Sequence, residues 1–145
     1  MELSHEIYMR KALEEARIAW EEGEIPVGAV VVCRGKIIAR AHNETEKLKD
    51  VTAHAEMLAV TCAASALGGK YLNECTLYVT MEPCVMCAGA LAWAQLGGLV
   101  YGASDSHRGY GRLVPSVLHP RTQVVAGILE DECRELVVNF FQHKR

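Results

Sequence analysis

Residues 76–96 read TLYVTMEPCVMCAGALAWAQL, and this stretch decides the fold. Its first five residues alternate polar and apolar side chains, which predicts a strand over residues 76–80. Pro83 then opens a predicted helix that runs to about Leu96, because first-turn amides lack backbone partners and proline is tolerated there. A strand that passes directly into a helix is typical of α/β proteins.

The alternation of strands and helices continues outward over the whole chain, with no internal repeat, low-complexity tract or linker. A tight turn at Arg34-Gly35 predicts that the first two strands form an antiparallel hairpin. Further helices are expected over residues 4–20, over 53–67 with a stop at Gly68, and around 133–141. Further strands are expected over residues 25–32, 36–41, 99–101 and 124–129. The expected fold is an α/β protein, a three-layer α/β/α sandwich with a mixed five-stranded sheet.

The length predicts one domain over residues 1–145, since a chain of this size supports a single buried core. Half of the residues are apolar, yet no apolar run approaches the roughly 20 residues of a membrane span. The first residues lack the basic start and apolar stretch of a signal peptide, so we expect a cytoplasmic protein. The six cysteines are therefore interpreted as reduced thiols and metal ligands.

The net charge of −3, from 15 basic and 18 acidic residues, argues against a broadly basic surface for nucleic acid. Binding to RNA would need a local patch. The candidate positions are Arg108, Arg112, Arg121 and the terminal His143-Lys144-Arg145. The alternative is that these are ordinary solvated charges, and composition leaves both interpretations open.

Two short motifs carry the chemistry, His54-Ala55-Glu56 and Pro83-Cys84-Val85-Met86-Cys87. Both follow loop residues and open predicted helices. Cys84 and Cys87 are three residues apart and therefore lie on one side of a first helical turn, whose positive end favours thiolates. With His54 they offer two sulfurs and one nitrogen, a ligand set suited to zinc.

Three protein ligands leave one tetrahedral position for water, which is typical of a catalytic zinc site. Zinc lowers the pKa of its water from 15.7 to about 7 and so supplies hydroxide at neutral pH. Glu56 is the candidate that passes the proton to a ring nitrogen and a departing amine. Because residues two apart in a regular helix point to different sides, His54 and Glu56 can meet only at a helix entrance.

The Cys-x-x-Cys spacing has other interpretations. A redox pair would leave His54 and Glu56 without a function. A structural metal site would need a fourth ligand, for which Cys62, Cys75 and Cys133 are available, although each lies among apolar neighbours where free cysteine behaves as a small hydrophobe. A zinc-bound RNA-binding module without activity would have no use for a carboxylate beside an open zinc.

His-x-Glu followed by Pro-Cys-x-x-Cys is the known signature of zinc-dependent nucleobase deaminases. Longer segments resemble the bacterial tRNA-specific adenosine deaminases, and the similarity covers nearly the whole chain: EIPVGAV at 24–30, TAHAE at 52–56, TLYVTMEPCVMCAGA at 76–90 and YGASD at 101–105. The resemblance implies a cytidine deaminase-like fold, one zinc per subunit and a homodimer. It also implies that the wobble adenosine of an arginine tRNA anticodon is converted to inosine, with the RNA bound near the subunit interface.

The resemblance further implies four substrate-binding residues, each with a structural alternative. Asn43 is expected to contact the flipped base beside the zinc, although asparagine also suits the end of a strand. Asp105 is expected to touch neighbouring anticodon nucleotides, and the alternative is a loop carboxylate that is solvated or bound to an arginine. Phe140 and Phe141 are expected to shape the nucleotide pocket, whereas one of them could be plain core.

One segment departs from the family. Many members carry an Asn-His-Arg element in a longer loop before the last strand, whereas here LHPRTQ at 118–123 runs straight into Val124. The departure concerns how the flank of the anticodon loop is held, and Arg108 and Arg121 are candidates to replace the missing element. The nearest rival is a guanine or other free-purine deaminase with the same zinc chemistry, followed by a cytidine-type deaminase; the Asp105 loop and the final aromatic pair argue against the purine enzyme.

Overall fold

The computed structural model describes residues 2–113 and 115–143. Within them the chain forms four α-helices and five strands in the predicted order. The helices are α1 (Glu2–Glu21), α2 (Ala55–Leu67), α3 (Val85–Trp93) and α4 (Glu130–His143). The strands are β1 (Gly28–Cys33), β2 (Lys36–His42), β3 (Cys75–Met81), β4 (Gly98–Ala103) and β5 (Gln123–Ala126). No helix in these described ranges is long and apolar enough to span a membrane.

The strands form one mixed sheet in the order β2-β1-β3-β4-β5, which confirms the predicted five-stranded sheet. β1 pairs antiparallel with β2 and with β3, and the turn at Arg34-Gly35 that joins β1 to β2 has positive φ at both residues. The pairs β3-β4 and β4-β5 are parallel. A parallel pair needs a crossover connection, and α3 supplies it between β3 and β4.

Helices cover both faces of the sheet, which confirms the three-layer arrangement. On one face, α2 and α3 bury Ala59 and Leu91 in the same cluster as Val31 of β1. On the other face, Leu13 of α1 shares a buried cluster with Val30. Val30 and Val31 are fully buried on opposite faces because successive side chains of a strand alternate.

The helix after Pro83 is shorter than predicted at both ends. α3 begins at Val85, because Cys84 stays extended as the N-cap residue with φ −73° and ψ 173°. Pro83 therefore precedes the helix instead of forming its first turn. The helix ends at Trp93 and not at Leu96, since Gln95 adopts φ 54°, which interrupts the helical backbone.

Two strands also differ from the predicted bounds of 25–32 and 124–129. Ahead of β1, Pro26 has no N–H to donate, and Val27 donates its own N–H to the Ile25 carbonyl 2.8 Å away in a tight turn. β5 ends at Ala126, because Gly127 takes φ 85° and leads the chain towards α4.

Two glycines meet specific backbone requirements. Gly68 ends α2 as predicted, with a left-handed φ of 72° and its N–H directed to the Ala64 and Ser65 carbonyls. Gly28 lets α1 approach β1 closely, since a Cβ there would lie 2.1 Å from the Ala12 carbonyl oxygen.

Candidate active site

The two chemical motifs meet where α2 and α3 begin. His54 is the N-cap residue of α2 and Cys84 is the N-cap residue of α3, both with extended backbone. Cys87 lies in the first turn of α3 and is fully buried. A helix start leaves its first N–H groups unpaired and carries partial positive charge, so both helix starts favour anionic ligands such as thiolates.

The three side chains form a compact cluster. His54 Nδ1 lies 3.6 Å from Cys84 Sγ and 3.5 Å from Cys87 Sγ. Tetrahedral zinc, with bonds of about 2.3 Å to sulfur and about 2.1 Å to nitrogen, separates those two atoms by about 3.6 Å. The donor set and its spacing therefore fit zinc. Among the described residues, this is the one group of three His, Cys, Asp or Glu ligand atoms within 4.8 Å of one another.

The remaining cysteines proposed as a fourth ligand lie elsewhere. Cys75 opens β3 at the end of that strand away from Cys84, and Cys133 is buried on the opposite face of the sheet. Cys62 lies within a helix as expected, but it is exposed on α2, so the interpretation that it packs as a small hydrophobe is wrong. The cluster therefore has three protein ligands, which leaves one tetrahedral position for water or substrate.

The protonation states of the two cysteine thiols depend on one another. A hydrogen bond from the Cys87 thiol, with a smaller contribution from the His54 ring, lowers the pKa of Cys84 to about 4. The same hydrogen bond, together with burial, raises the pKa of Cys87. The hydrogen bond to Cys84 also raises the pKa of His54. A divalent cation bound here would take the place of these protons, because metal binding requires thiolates and a neutral imidazole and releases protons.

Glu56 lies in the first turn of α2 and is 4% exposed. Burial raises the pKa of its carboxyl to about 7, although the neighbouring His54 and Cys87 act in the opposite direction. His54 and Glu56 face one site because His54 is an extended N-cap and not part of the regular helix. The helix entrance thus gives the juxtaposition that their two-residue spacing demands.

The cluster of His54, Cys84 and Cys87 opens into a groove of about 920 Å³. One wall is the loop that joins β2 to α2, and the opposite wall is the loop that follows β4. The end of α4 contributes Val137 and Phe141. The groove is at the upper end of the roughly 300–1,000 Å³ typical of small-molecule sites. It therefore has room for a nucleotide and parts of its neighbours.

The comparisons with known proteins agree with this geometry. The MafB19-like deaminase family model matches residues 3–145. The tRNA-specific adenosine deaminase of Bacillus subtilis (strain 168) is 44% identical, over 97% of this chain and 90% of its own length. The chain belongs to the tRNA-specific adenosine deaminases. Within the deaminase superfamily this is a full-length match, since both proteins are covered almost completely.

Solved structures of deaminases share the fold. One, from biochemical and structural studies of A-to-I editing by tRNA:A34 deaminases, is 43% identical with a TM-score of 0.84, over 90% of this chain and 98% of its own. The guanine deaminase of Nitrosomonas europaea is 28% identical with a TM-score of 0.81, over 93% and 83%. The expected cytidine deaminase-like fold of this tRNA adenosine deaminase is thereby confirmed.

Asn43 combines a structural role with a place in the groove of the deaminase. It directly follows β2 and is buried. Its Oδ1 accepts the Ala55 N–H at 2.9 Å, and its Nδ2 donates to the Ile25 carbonyl at 3.2 Å. The side chain thus satisfies a free N–H at the start of α2, next to His54. It lines the groove as well.

Asp105 shapes its own loop. Its Oδ1 accepts the backbone N–H groups of His107 and Arg108, both at 3.0 Å, as in an Asx turn. The expected contact with an arginine is therefore to the backbone of Arg108. Asp105, His107 and Arg108 all line the groove of the deaminase.

The two phenylalanines of α4 have different surroundings. Phe141 is 45% exposed and lines the groove. Phe140 is buried and packs edge-on against Trp20 of α1, with ring centroids 5.3 Å apart. It also contacts the Phe141 ring at 5.6 Å. The structure thus places Phe141 at the groove and Phe140 behind it, in the core between α1 and α4.

The candidate basic residues are dispersed. Arg108 joins Lys49 at the groove, whereas Arg112 donates to the His107 carbonyl at the edge of the loop. Arg121 is exposed in the segment before β5 and is not among the residues that line the groove. His143 ends α4, and the neighbouring candidates Lys144 and Arg145 lie outside the described residues.

Sequence reasoning gave no role to two buried carboxylates at this site. Glu24 is 1% exposed and its Oε2 accepts the Lys47 N–H at 2.8 Å, which holds the loop between β2 and α2. Glu82 is 8% exposed and holds the opposite loop. A signal was present, because each acidic residue directly borders a largely apolar segment, and a buried acidic side chain usually has specific partners.

Proposed function

We propose that residues 1–145 form a single zinc-dependent deaminase domain that converts adenosine to inosine at the wobble position of an arginine tRNA anticodon. The observation that carries the proposal is the cluster of His54, Cys84 and Cys87 at zinc-ligand spacing, with the buried Glu56 beside it, at the base of the groove. The protein acts in the cytoplasm, where its tRNA substrate resides.

Glu56 carries the proton transfers. A bound zinc ion supplies an activated water at neutral pH, because zinc lowers the pKa of water from 15.7 to about 7. Glu56 takes one proton from the attacking water and delivers it to the ring nitrogen, then takes the second proton from the added hydroxyl group and delivers it to the departing amine, so adenosine and water become inosine and ammonia. Its burial suits this role, because the carboxyl group exchanges protons with the substrate and not with bulk water.

Asn43 and Phe141 hold the base. A base in an RNA loop must be turned out of its stack to reach a catalytic pocket, where hydrogen bonds and stacking read it. The Nδ2 of Asn43 donates one proton to Ile25 and has a second, and Phe141 offers an exposed ring. Phe140 supports the Phe141 ring from behind.

The groove rim contacts the flanking nucleotides. Asp105 orders the loop there and faces the neighbouring sugars and bases. Lys49 and Arg108 line the groove as exposed cations and contact phosphates. Because the chain is acidic overall, we expect few phosphate contacts and a shallow dependence of RNA affinity on salt.

The protein is a homodimer through the outer face of α3. Met86, Gly89, Ala90 and Trp93 fall at helical spacing on this helix, and Trp93 is 86% exposed. A Cβ placed on Gly89 would meet nothing within 4 Å, so the face is open. A second copy of the chain fits it, because the small residues Gly89 and Ala90 let another helix approach closely and Trp93 offers an aromatic anchor beside them.

The decisive experiment compares substrates with the zinc-loaded protein. We expect inosine and ammonia from an arginine tRNA with adenine at the wobble position, and no product from the same tRNA with another wobble base. Free adenosine and free guanine serve as the competing substrates. Deamination of guanine without activity on the tRNA would favour the free-purine alternative, for which the 28% identical guanine deaminase is the precedent.

A further inference from the structure

Glu82 lies between the end of β3 and the metal-binding motif, and it has no part in the chemistry described above. Its carboxylate is buried and accepts two backbone N–H groups, from Asp105 to Oε1 at 2.9 Å and from Gly111 to Oε2 at 2.8 Å. The two donors are six residues apart. A single carboxylate thus joins both ends of the segment 105–111, which we call the 105–111 loop.

The loop is shaped to fit this carboxylate. A Cβ on Gly109 would lie 2.3 Å from Glu82 Cδ, and a Cβ on Gly111 would lie 2.7 Å from Glu82 Oε2. Neither glycine has a positive φ, so close approach and not backbone conformation is the requirement here. The glycines and the carboxylate therefore depend on one another.

The same loop is fastened to the metal-binding motif. Tyr110 donates its N–H to the Pro83 carbonyl at 2.9 Å, and Gly109 forms an antiparallel bridge with Cys84. The 105–111 loop therefore runs beside a zinc ligand while its other side lines the groove. A shift of the loop would change the distance between the groove wall and the reacting centre.

We propose that Glu82 is a positioning residue that holds the 105–111 loop as a preformed wall for the nucleotides flanking the target adenosine. The inference rests on the proposed function. Hydrogen bonds to a charged acceptor are stronger than neutral ones, so the carboxylate is suited to fixing a loop. A wall ordered before RNA arrives avoids the entropy of ordering it on binding, so Glu82 acts on substrate binding more than on the chemical step.

The test variant is Glu82→Gln, which keeps the shape of the side chain but replaces one acceptor oxygen with an NH₂ group. That NH₂ group would face the backbone N–H of Asp105 or Gly111 and could not accept a hydrogen bond from it. We expect the KM for an anticodon stem-loop to rise about 10-fold or more, with kcat and zinc content close to wild type. Hydrogen exchange at the Asp105 and Gly111 amides should accelerate. Removing a negative charge near the groove would by itself favour RNA, so weaker binding isolates the lost positioning.

Gly111→Ala provides a second test with Glu82 intact, because its Cβ displaces the loop from the carboxylate. If Glu82→Gln fails to fold, the KM of Gly111→Ala tests the proposed role of Glu82. Glu74→Gln, at an exposed position before β3, is the matched control and should behave as wild type. An unchanged KM in both test variants, or a loss of kcat and zinc with KM unchanged, would overturn the inference while leaving the proposed function intact. A wild-type protein that is inactive on the stem-loop would overturn both.

Discussion

Glu56 is buried at the start of α2 next to the Cys87 thiol, yet it is not one of the three clustered candidate metal ligands. Its replacement therefore separates proton transfer from metal binding. Glu56→Gln should lower kcat on tRNA by about 10²- to 10⁴-fold, the usual contribution of a general acid–base group. Zinc content, measured by atomic absorption, should stay near one per chain. Activity retained at the wild-type level would remove Glu56 from its role.

Replacing Cys84 tests metal binding, as replacing Glu56 tests proton transfer. Cys84→Ala removes one of the three candidate ligands and takes away the thiol that shifts the pKa values of Cys87 and His54. We expect zinc to be lost together with deaminase activity. Cys62→Ala is the matched control, because Cys62 is an exposed thiol on α2, and it should keep both properties. Full zinc occupancy in Cys84→Ala would contradict the ligand assignment.

The candidate metal ligands could be predicted from sequence because their types and spacing are constrained by zinc itself. The different surroundings of Phe140 and Phe141 could not be predicted from sequence. Both the core and the groove lie beside α4, and adjacent residues of a helix are only about 100° apart, so hydrophobic spacing does not tell which ring faces which. The double contact of Asn43 was likewise hidden, because its partners are distant in sequence.

The helices and strands were predicted in type and order, and their errors have one origin. Sequence patterns report which side chains are apolar but not where the backbone must leave regular geometry. Cys84 is extended so that its sulfur meets His54, and this shortens α3 by two residues relative to a start at Pro83. Gln95 has a positive φ, which the conformational preference of glutamine does not predict.

His42, at the end of β2, joins the sheet to α1. Its ring hydrogen bonds to Glu15 at 3.0 Å and to Glu22 at 2.9 Å. Burial lowers the pKa of His42, but the hydrogen bonds to Glu15 and Glu22 outweigh it, so the pKa lies above the ordinary value. A raised folded-state pKa stabilises the protein below the unfolded value of about 6.5, and this contribution disappears as pH rises through the folded value.

His42→Gln should therefore lower the free energy of unfolding by about 1–2 kcal/mol at pH 5.5 and by less at pH 9. Urea titrations at the two pH values measure the difference. Lys36→Gln, an exposed change on the same strand, is the control and should have a small effect that is equal at both values. An equal loss for His42→Gln at both pH values would show that the charged form adds no stability.

The strand order and the groove are properties of the folded chain as a whole, and local sequence patterns predict neither of them. Periodicity identifies strands but not their neighbours, so the order β2-β1-β3-β4-β5 required the structure. The groove forms between loops that are about 60 residues apart, near Asn43 and Asp105. The family could be predicted from the sequence, because the segments that resemble it extend from the zinc motif over nearly the whole chain.

The open face of α3 leads to the final prediction. Trp93 is 86% exposed, so Trp93→Glu should leave the stability of the monomer nearly unchanged. Tryptophan at the centre of an interface commonly contributes about 2 kcal/mol or more, so the dimer dissociation constant should rise about 30-fold or more, as measured by analytical ultracentrifugation. Ile7→Glu, an exposed apolar position on α1, which packs on the opposite face of the sheet, is the control and should leave the dimer intact. If the wild-type protein is a monomer at all concentrations, or if Trp93→Glu dimerises as tightly as wild type, α3 is not the interface. If Trp93→Glu weakens the dimer and also lowers the activity on tRNA, the RNA site lies close to the contact between the two copies.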